Sequence, residues 1–186
     1  MPNDPRTALL DLIATLSFRL GDFTLASGQK SDYYIDCRTT TLHAEGGRLS
    51  GLVFYDLIRE HIPHAIAVGG LTMGADPLVS ATSITSAGAL ADYNELRALA
   101  ADLEIDQDDS EPEPALIHGF LVRKAEKTHG TGRRIEGFLH PGAQVVIVDA
   151  SARRAARRLR RLRRRERRGC TLRACSAWST ASKAAA

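Results

Sequence analysis

Two short apolar runs constrain this chain more than anything else in it. Ala65-Ile66-Ala67-Val68 opens onto Gly69-Gly70, and Val145-Val146-Ile147-Val148 opens onto Asp149. Runs this short and free of polar residues suit strands buried on both faces. A helix is predicted from Asp76 to about Leu90, so the first run reads as the strand, glycine turn and helix of a parallel βα unit. Asp149 falls at the C-terminal end of the second strand, and ligands of open α/β sheets bind just outside such ends. The expectation is a parallel sheet within residues 65–149, with Asp149 at the same edge as Gly69-Gly70.

The remaining segments supply the layers around that sheet. Leu9, Leu10, Ile13, Leu16 and Leu20 recur at helical spacing, which predicts a helix over 7–20 broken by Gly21-Asp22. Phe23 and Leu25 alternate with polar neighbours as a short strand. Ser27-Gly28 signals a turn, and Asp32–Asp36 reads as a second strand. Residues 44–60 carry Leu49, Leu52, Val53, Leu57 and Ile58 as an amphipathic helix that stops at His61-Ile62-Pro63. Residues 91–114 are acidic and poor in large apolar groups, and read as a helix fragment and a solvated loop. Leu116 to Val122 resumes a strand, and 123–137, basic and dotted with glycine, reads as a mobile loop.

Charge divides the chain. Residues 1–150 carry 12 Lys+Arg against 21 Asp+Glu, a net −9, whereas 151–186 carry 13 against one, a net +12. The overall +3 describes neither part, so the chain is read as one domain over 1–149 and an Arg-rich tail over 150–186. A natural basic tail would suggest a nucleic acid or a membrane surface as partner. No run approaches bilayer length, so no membrane span is expected. The N-terminus has an acid ahead of its apolar stretch and no small-residue cleavage site, unlike a signal peptide. Cys37, Cys170 and Cys175 are odd in number without CxxC spacing, which points to a reducing cytoplasm with neither disulfide nor zinc. His61 and His64 flank a proline with no third ligand after them, so no metal is assigned there.

Three segments can carry chemistry, and each has a plainer reading beside it. Gly21–Asp36 places Lys30, Tyr33 and Tyr34 on a hairpin that could cover a flat polar ring, or could be a surface hairpin with a packed tyrosine pair. Val68–Pro77 places glycines after a strand, where backbone N–H groups can approach a phosphate, or where a tight turn needs them. Val122–Gly132 places Arg123, Lys124, Lys127 and His129 within seven residues. Such a loop suits a pyrophosphate leaving group, with His129 as a pH-dependent donor, or is simply a solvated basic loop.

Taken in this order, the segments resemble the orotate phosphoribosyltransferase family. That family has an FTLxSGxKSxYY-like segment, matched from Phe23 to Tyr34, and a pyrophosphate-binding glycine turn, matched by Gly69 to Gly74. It also has an RKxxKxHG loop, matched without gaps by Arg123 to Gly130, and an apolar strand ending in acids, matched by Val145 to Asp149. Ala26 stands where some members have lysine, Thr72-Met73 where some have Tyr-Lys, and Asp102–Glu113 resembles an insertion.

The resemblance implies the type I phosphoribosyltransferase α/β fold with a small N-terminal hood. It implies transfer of a phosphoribosyl group from 5-phosphoribosyl 1-pyrophosphate to orotate, with Mg²⁺, in pyrimidine (UMP) synthesis in the cytoplasm. Lys127 and His129 would be catalytic, closing over the pyrophosphate of the partner subunit in a homodimer through loop 123–132. Arg123, Lys124, Gly69, Gly70 and Asp149 would also bind the phosphoribosyl donor, and Lys30, Tyr33 and Tyr34 would lie near orotate. No direct metal ligand is assigned. Two rival functions are a phosphoribosyltransferase acting on purines, disfavoured by Phe23–Tyr34, and a non-catalytic nucleic-acid-binding protein using the Arg tail.

After Asp149 the resemblance stops. The family continues with a second acid and a Thr/Gly-rich phosphate cradle, whereas this chain continues Ala150-Ser151-Ala152-Arg153-Arg154, with 11 Arg between Ser151 and Arg168. Such a segment lacks an apolar face to complete the sheet, so the later strands are expected to be absent or replaced by a helix over about 151–168. Reverse translation with GC-rich codons offers a cause. Asp149 onward can be written GAC GCG TCT GCA CGA CGG GCG GCT, and one restored A turns it into GAC GAC GTC TGC ACG ACG GGC GGC. The restored frame reads DDVCTTGGSTL and then EAVEAARAAGMHVARVLCLVDREQGG, an amphipathic helix followed by a strand. Arginine has six codons and gives that reading freedom, but Trp178 has only one and still fits. The expectation is a one-base deletion in the codon after that for Asp149, which would leave this chain with little or no activity.

Overall fold

The computed structural model describes residues 4–25, 27–105, 112–123, 134–138 and 140–150, and the backbone alone of 172–173. Helix α1 (Pro5–Leu12) starts where the Asp4 carboxylate accepts the Thr7 amide, with Pro5 in the first turn. It widens into a π-helical turn at Ile13–Ser17 and gives way to β1 (Phe18–Thr24). The helix predicted to Leu20 therefore ends three residues early. Phe18, Arg19 and Leu20 instead pair antiparallel with Ile35, Tyr34 and Tyr33 of β2 (Lys30–Ile35). The Ser17 hydroxyl fixes the switch by bonding those of Thr39 and Thr40 at 2.9 and 2.6 Å. Gly21 lies inside β1, beside a register shift between Leu20 and Phe23, rather than ending a helix.

A short helix, α2 (Arg38–Thr41), leads into α3 (Ala44–His61), which lies one residue from its predicted end. Leu9 of α1 packs with Leu49 and Val53 of α3. Strand β3 (Ala67–Leu71) is followed by α4 (Asp76–Asp102), β4 (His118–Val122), β5 (Ile135–Gly137), β6 (Val145–Val148) and β7 (Leu172–Arg173). The five strands form one sheet in the order β5-β4-β3-β6-β7, with β3 parallel to both β4 and β6 and β5 antiparallel to β4. The expected parallel sheet is therefore present. One sheet face (Val68, Val146, Val148) buries Phe54 and Ile58 of α3 and Leu78 and Val79 of α4. The other gathers Ala67, Phe120, Val122, Ala143 and Val145.

Three expectations need correction. Gly69 and Gly70 form no turn: they are buried residues of β3, and the turn is Thr72–Ala75. Helix α4 runs to Asp102 rather than about Leu90, because its alanine-rich second half favours helix even where Leu96 and Leu99 stay exposed. The sheet also gains β7, whose two residues run parallel to Val145 and Val146 of β6. The helix expected over about 151–168 lies outside the described residues.

Gly70 shows why packing rather than a turn requires glycine here. A Cβ built on it would lie 2.1 Å from the Val148 carbonyl oxygen and 2.5 Å from Ala75 Cβ, both fixed by the strand and the turn. Gly70→Ala should destabilise the fold by about 2 kcal/mol or more, since overpacking there has to displace backbone. Gly88, exposed in α4 with nothing within 4 Å of such an atom, gives the opposite sign. Gly88→Ala should stabilise by about 0.5–1 kcal/mol. Denaturant titration of both variants reads the pair directly.

Candidate active site

Parallel pairing brings three strand ends to one edge. Gly70 sits beside both Leu121 and Val148, and Leu71 beside Val122. The chain therefore leaves β3 into Thr72–Ala75, β4 into Arg123, and β6 into Asp149 on the same side of the sheet. This is the edge at which Asp149 was expected relative to Gly69-Gly70. A Cβ built on Gly74 would be 3.7 Å from both Asp149 Oδ1 and Ala150 Cβ, so the turn and the acid are immediate neighbours.

Among the described residues, the turn between β3 and α4 leaves backbone amides unpaired at the sheet edge. The Thr72 amide donates to Val122 O and the Ala75 amide to Leu71 O, and the Thr72–Met73 peptide is cis. Among the described residues the amides of Met73 and Gly74 donate to nothing, and the first-turn amides of α4 lie just beyond them. A helix N-terminus with unpaired N–H groups favours negative charge. The sequence contained a signal for this turn that outranks the glycines: Pro77 in the first helical turn dates the start of α4 to Asp76 and leaves 72–75 as the loop. Asp76 Oδ1 is buried there without a partner among the described residues.

Arg123 closes the neck of the basic loop. Its amide donates to Arg134 O at 2.9 Å, and its Nε donates to Glu136 Oε1 at 3.1 Å. Lys124, Lys127 and His129 lie outside the described residues. Lys30, Tyr33 and Tyr34 sit on the separate β1–β2 sheet. Lys30 Nζ donates to Thr24 Oγ1 at 3.0 Å, Tyr33 stacks on Phe18, and Tyr34 tilts against Phe23. The structure thus gathers Gly70, the 72–75 turn, Arg123 and Asp149, and keeps the two tyrosines and Lys30 on the hairpin. Both tyrosines remain 42% exposed, so the ring stacking leaves much of each free.

Two groups outside this edge have settled roles. Arg38 grips Asp36 through two nitrogens at 2.8 and 2.6 Å, and that hydrogen bonding holds the carboxyl below its usual range. Burial, with Asp36 adding to it, pushes the Cys37 thiol up to about 11, which leaves it protonated and inert at neutral pH. Among the described residues no three His, Cys, Asp or Glu cluster as metal ligands, and no helix is long and apolar enough to cross a membrane.

Comparison with known proteins agrees with this architecture. No protein-family model matches the chain. It is 37% identical over 145 residues to an orotate phosphoribosyltransferase of Rhodopirellula baltica, covering 76% of this chain and 63% of that protein. It is 41% identical to that of Thermosynechococcus vestitus, covering 78% of this chain and 62% of the relative. Against the crystal structure of Mycobacterium tuberculosis H37Rv orotate phosphoribosyltransferase in complex with Fe(III) dicitrate it superposes with a TM-score of 0.56 at 28% identity, covering 91% of this chain and 80% of that one. The fold is the type I phosphoribosyltransferase α/β fold. The chain spans under two thirds of the length of those two curated relatives. Over about three quarters of its own length, this chain is homologous to orotate phosphoribosyltransferases.

Proposed function

We propose that residues up to Asp149 are the front part of an enzyme that transfers the phosphoribosyl group of 5-phosphoribosyl 1-pyrophosphate to orotate. The products are orotidine 5′-phosphate and pyrophosphate, in pyrimidine synthesis in the cytoplasm. The observation that carries this reading is the convergence of the Thr72–Ala75 turn, Arg123 and Asp149 at one edge of a parallel sheet. The amides of the turn and the Arg123 guanidinium bind the pyrophosphate, and the Asp149 carboxylate accepts the ribose hydroxyls. Lys124 extends the same positive field in its own subunit. Lys127 and His129, reaching the other subunit of a homodimer, cover the pyrophosphate as it leaves. Lys30, Tyr33 and Tyr34 border the orotate.

Mg²⁺ fits this edge. A small hard cation that keeps waters and substrate oxygens needs only one or two carboxylates from the protein, and Asp149 supplies one. When bound, the ion would neutralise charge on the pyrophosphate. The protein's own contribution is positioning and fixed positive charge, the two largest sources of rate for a transition state whose charge builds at the leaving group.

Residues 150–186 belong to this reading as the product of a reading-frame offset just after Asp149. Base choice tests the assignment on a frame-restored chain. With the ribosyl donor and Mg²⁺, orotate should be consumed, while adenine, guanine and hypoxanthine should be left at least about a hundredfold behind, because a purine has no carboxylate to satisfy groups placed for a carboxylated pyrimidine. Preferential use of a purine base would transfer the chain to the purine-acting enzymes.

A further inference from the structure

Arg123 is held from behind. Leu121 of β4 pairs in register with Glu136 of β5, so the two side chains share one sheet face. Arg123 lies two residues beyond Leu121 on the same alternation, one step nearer the ligand edge. Its Nε reaches back diagonally to Glu136 Oε1 at 3.1 Å. Among the described residues the two terminal nitrogens of the guanidinium have no partner. The contact is therefore made by the inner nitrogen, and the outer two-nitrogen fork stays available.

We propose that Glu136 is a positioning residue for the pyrophosphate site. It fixes the Arg123 guanidinium through Nε so that the free fork is presented to a phosphoryl group beside the 72–75 turn, an inference that rests on the function proposed above. A guanidinium binds phosphate best through two parallel N–H bonds, and its planar fork gains most when its orientation is set beforehand. Stability alone gives the pair little reason to exist. Arg123 and Glu136 are 39% and 40% exposed, and ion pairs that open to water add little to folding. Bulk electrostatics gives a carboxylate at this place no reason either, since a negative charge beside an anion site repels its ligand.

That conflict supplies a test with opposite signs. The probe is inorganic pyrophosphate with Mg²⁺, titrated calorimetrically onto the full chain, so that turnover is not needed. Positioning predicts that Glu136→Ala weakens binding about fivefold, with an unchanged thermal midpoint, whereas simple charge removal would tighten it. Glu136→Gln, which keeps an acceptor for Nε, should bind within about twofold of the parent. In an Arg123→Ala background, already weaker, Glu136→Ala should weaken binding no further, because there is no guanidinium left to hold. If Arg123→Ala weakens binding while Glu136→Ala and Glu136→Gln both match or exceed the parent, the role of Glu136 is overturned and the pyrophosphate site stands. If the parent chain itself does not bind pyrophosphate, both the role and the site fall.

Discussion

A gene with one base restored in the codon after Asp149 is expected to yield an enzyme that consumes orotate, and the chain with the Arg-rich tail should fall short of it by at least about a thousandfold. The difference lies in backbone geometry. The restored frame places a second acid after Asp149 and then the segment VCTTGGSTL. Its glycines and small hydroxyl residues allow successive N–H groups to wrap the 5′-phosphate. Losing a single preorganised donor commonly costs about a hundredfold or more in rate, and here several vanish together. The 11 arginines between Ser151 and Arg168 can attract a phosphorylated substrate, but attraction without fixed geometry leaves the reacting atoms unaligned. The assay is the ultraviolet loss of orotate with donor and Mg²⁺, run on both proteins. Comparable turnover would show that the tail is a working substitute and that the frame offset is wrong. The nucleotide sequence gives an independent check: an offset frame should encode TTGGS shortly after Asp149, and an early stop there would end the idea.

How far the fold could be read in advance depended on whether local pattern and tertiary packing agreed. Val145–Val148 was legible to the residue, since an unbroken apolar run buried on both faces has one reading. The first run was ended three residues early, at Val68 rather than Leu71, because glycine normally argues for a turn. At Gly69 and Gly70 it answers instead to neighbours that only folding brings close, the Phe120 ring and the Val148 carbonyl. Leucine spacing carried the first helix too far, since Leu20 fits a helical stripe as well as it fits its place opposite Tyr33. The convergence of the turn, Arg123 and Asp149 followed from parallel topology and could be anticipated. The contact between Arg123 and Glu136 could not: thirteen residues separate them, and it depends on a hairpin register that no residue type in the segment specifies.

In the restored enzyme, Lys127→Ala lowers kcat by about a hundredfold to ten-thousandfold while KM for the donor moves by no more than a few-fold. Lys127 belongs to the RKxxKxHG segment, whose neck is closed by Arg123 and Arg134. Its ammonium is a compact charge on a flexible stem, suited to follow a phosphate oxygen as charge accumulates on it. On the proposed function, the ground-state pyrophosphate would already be served by the amides of Met73 and Gly74, the start of α4, and Arg123. One more cation therefore adds little to substrate binding. As the bond to the ribose carbon lengthens, negative charge moves onto the leaving pyrophosphate, and a cation placed there becomes worth far more. An interaction that strengthens on the way to the transition state raises kcat, whereas one that acts equally throughout alters KM. Steady-state kinetics on the restored chain and its Lys127→Ala variant separate the two. A variant that loses donor affinity at unchanged kcat would make Lys127 a simple binding residue. Mixing experiments extend the test to the subunit arrangement. If Lys127 serves the other subunit, Lys127→Ala chains mixed with chains carrying Asp149→Asn should regain up to about a quarter of parental activity, because random pairing makes half of the dimers mixed and each mixed dimer holds one intact site. No recovery on mixing would place the loop over the site of its own subunit.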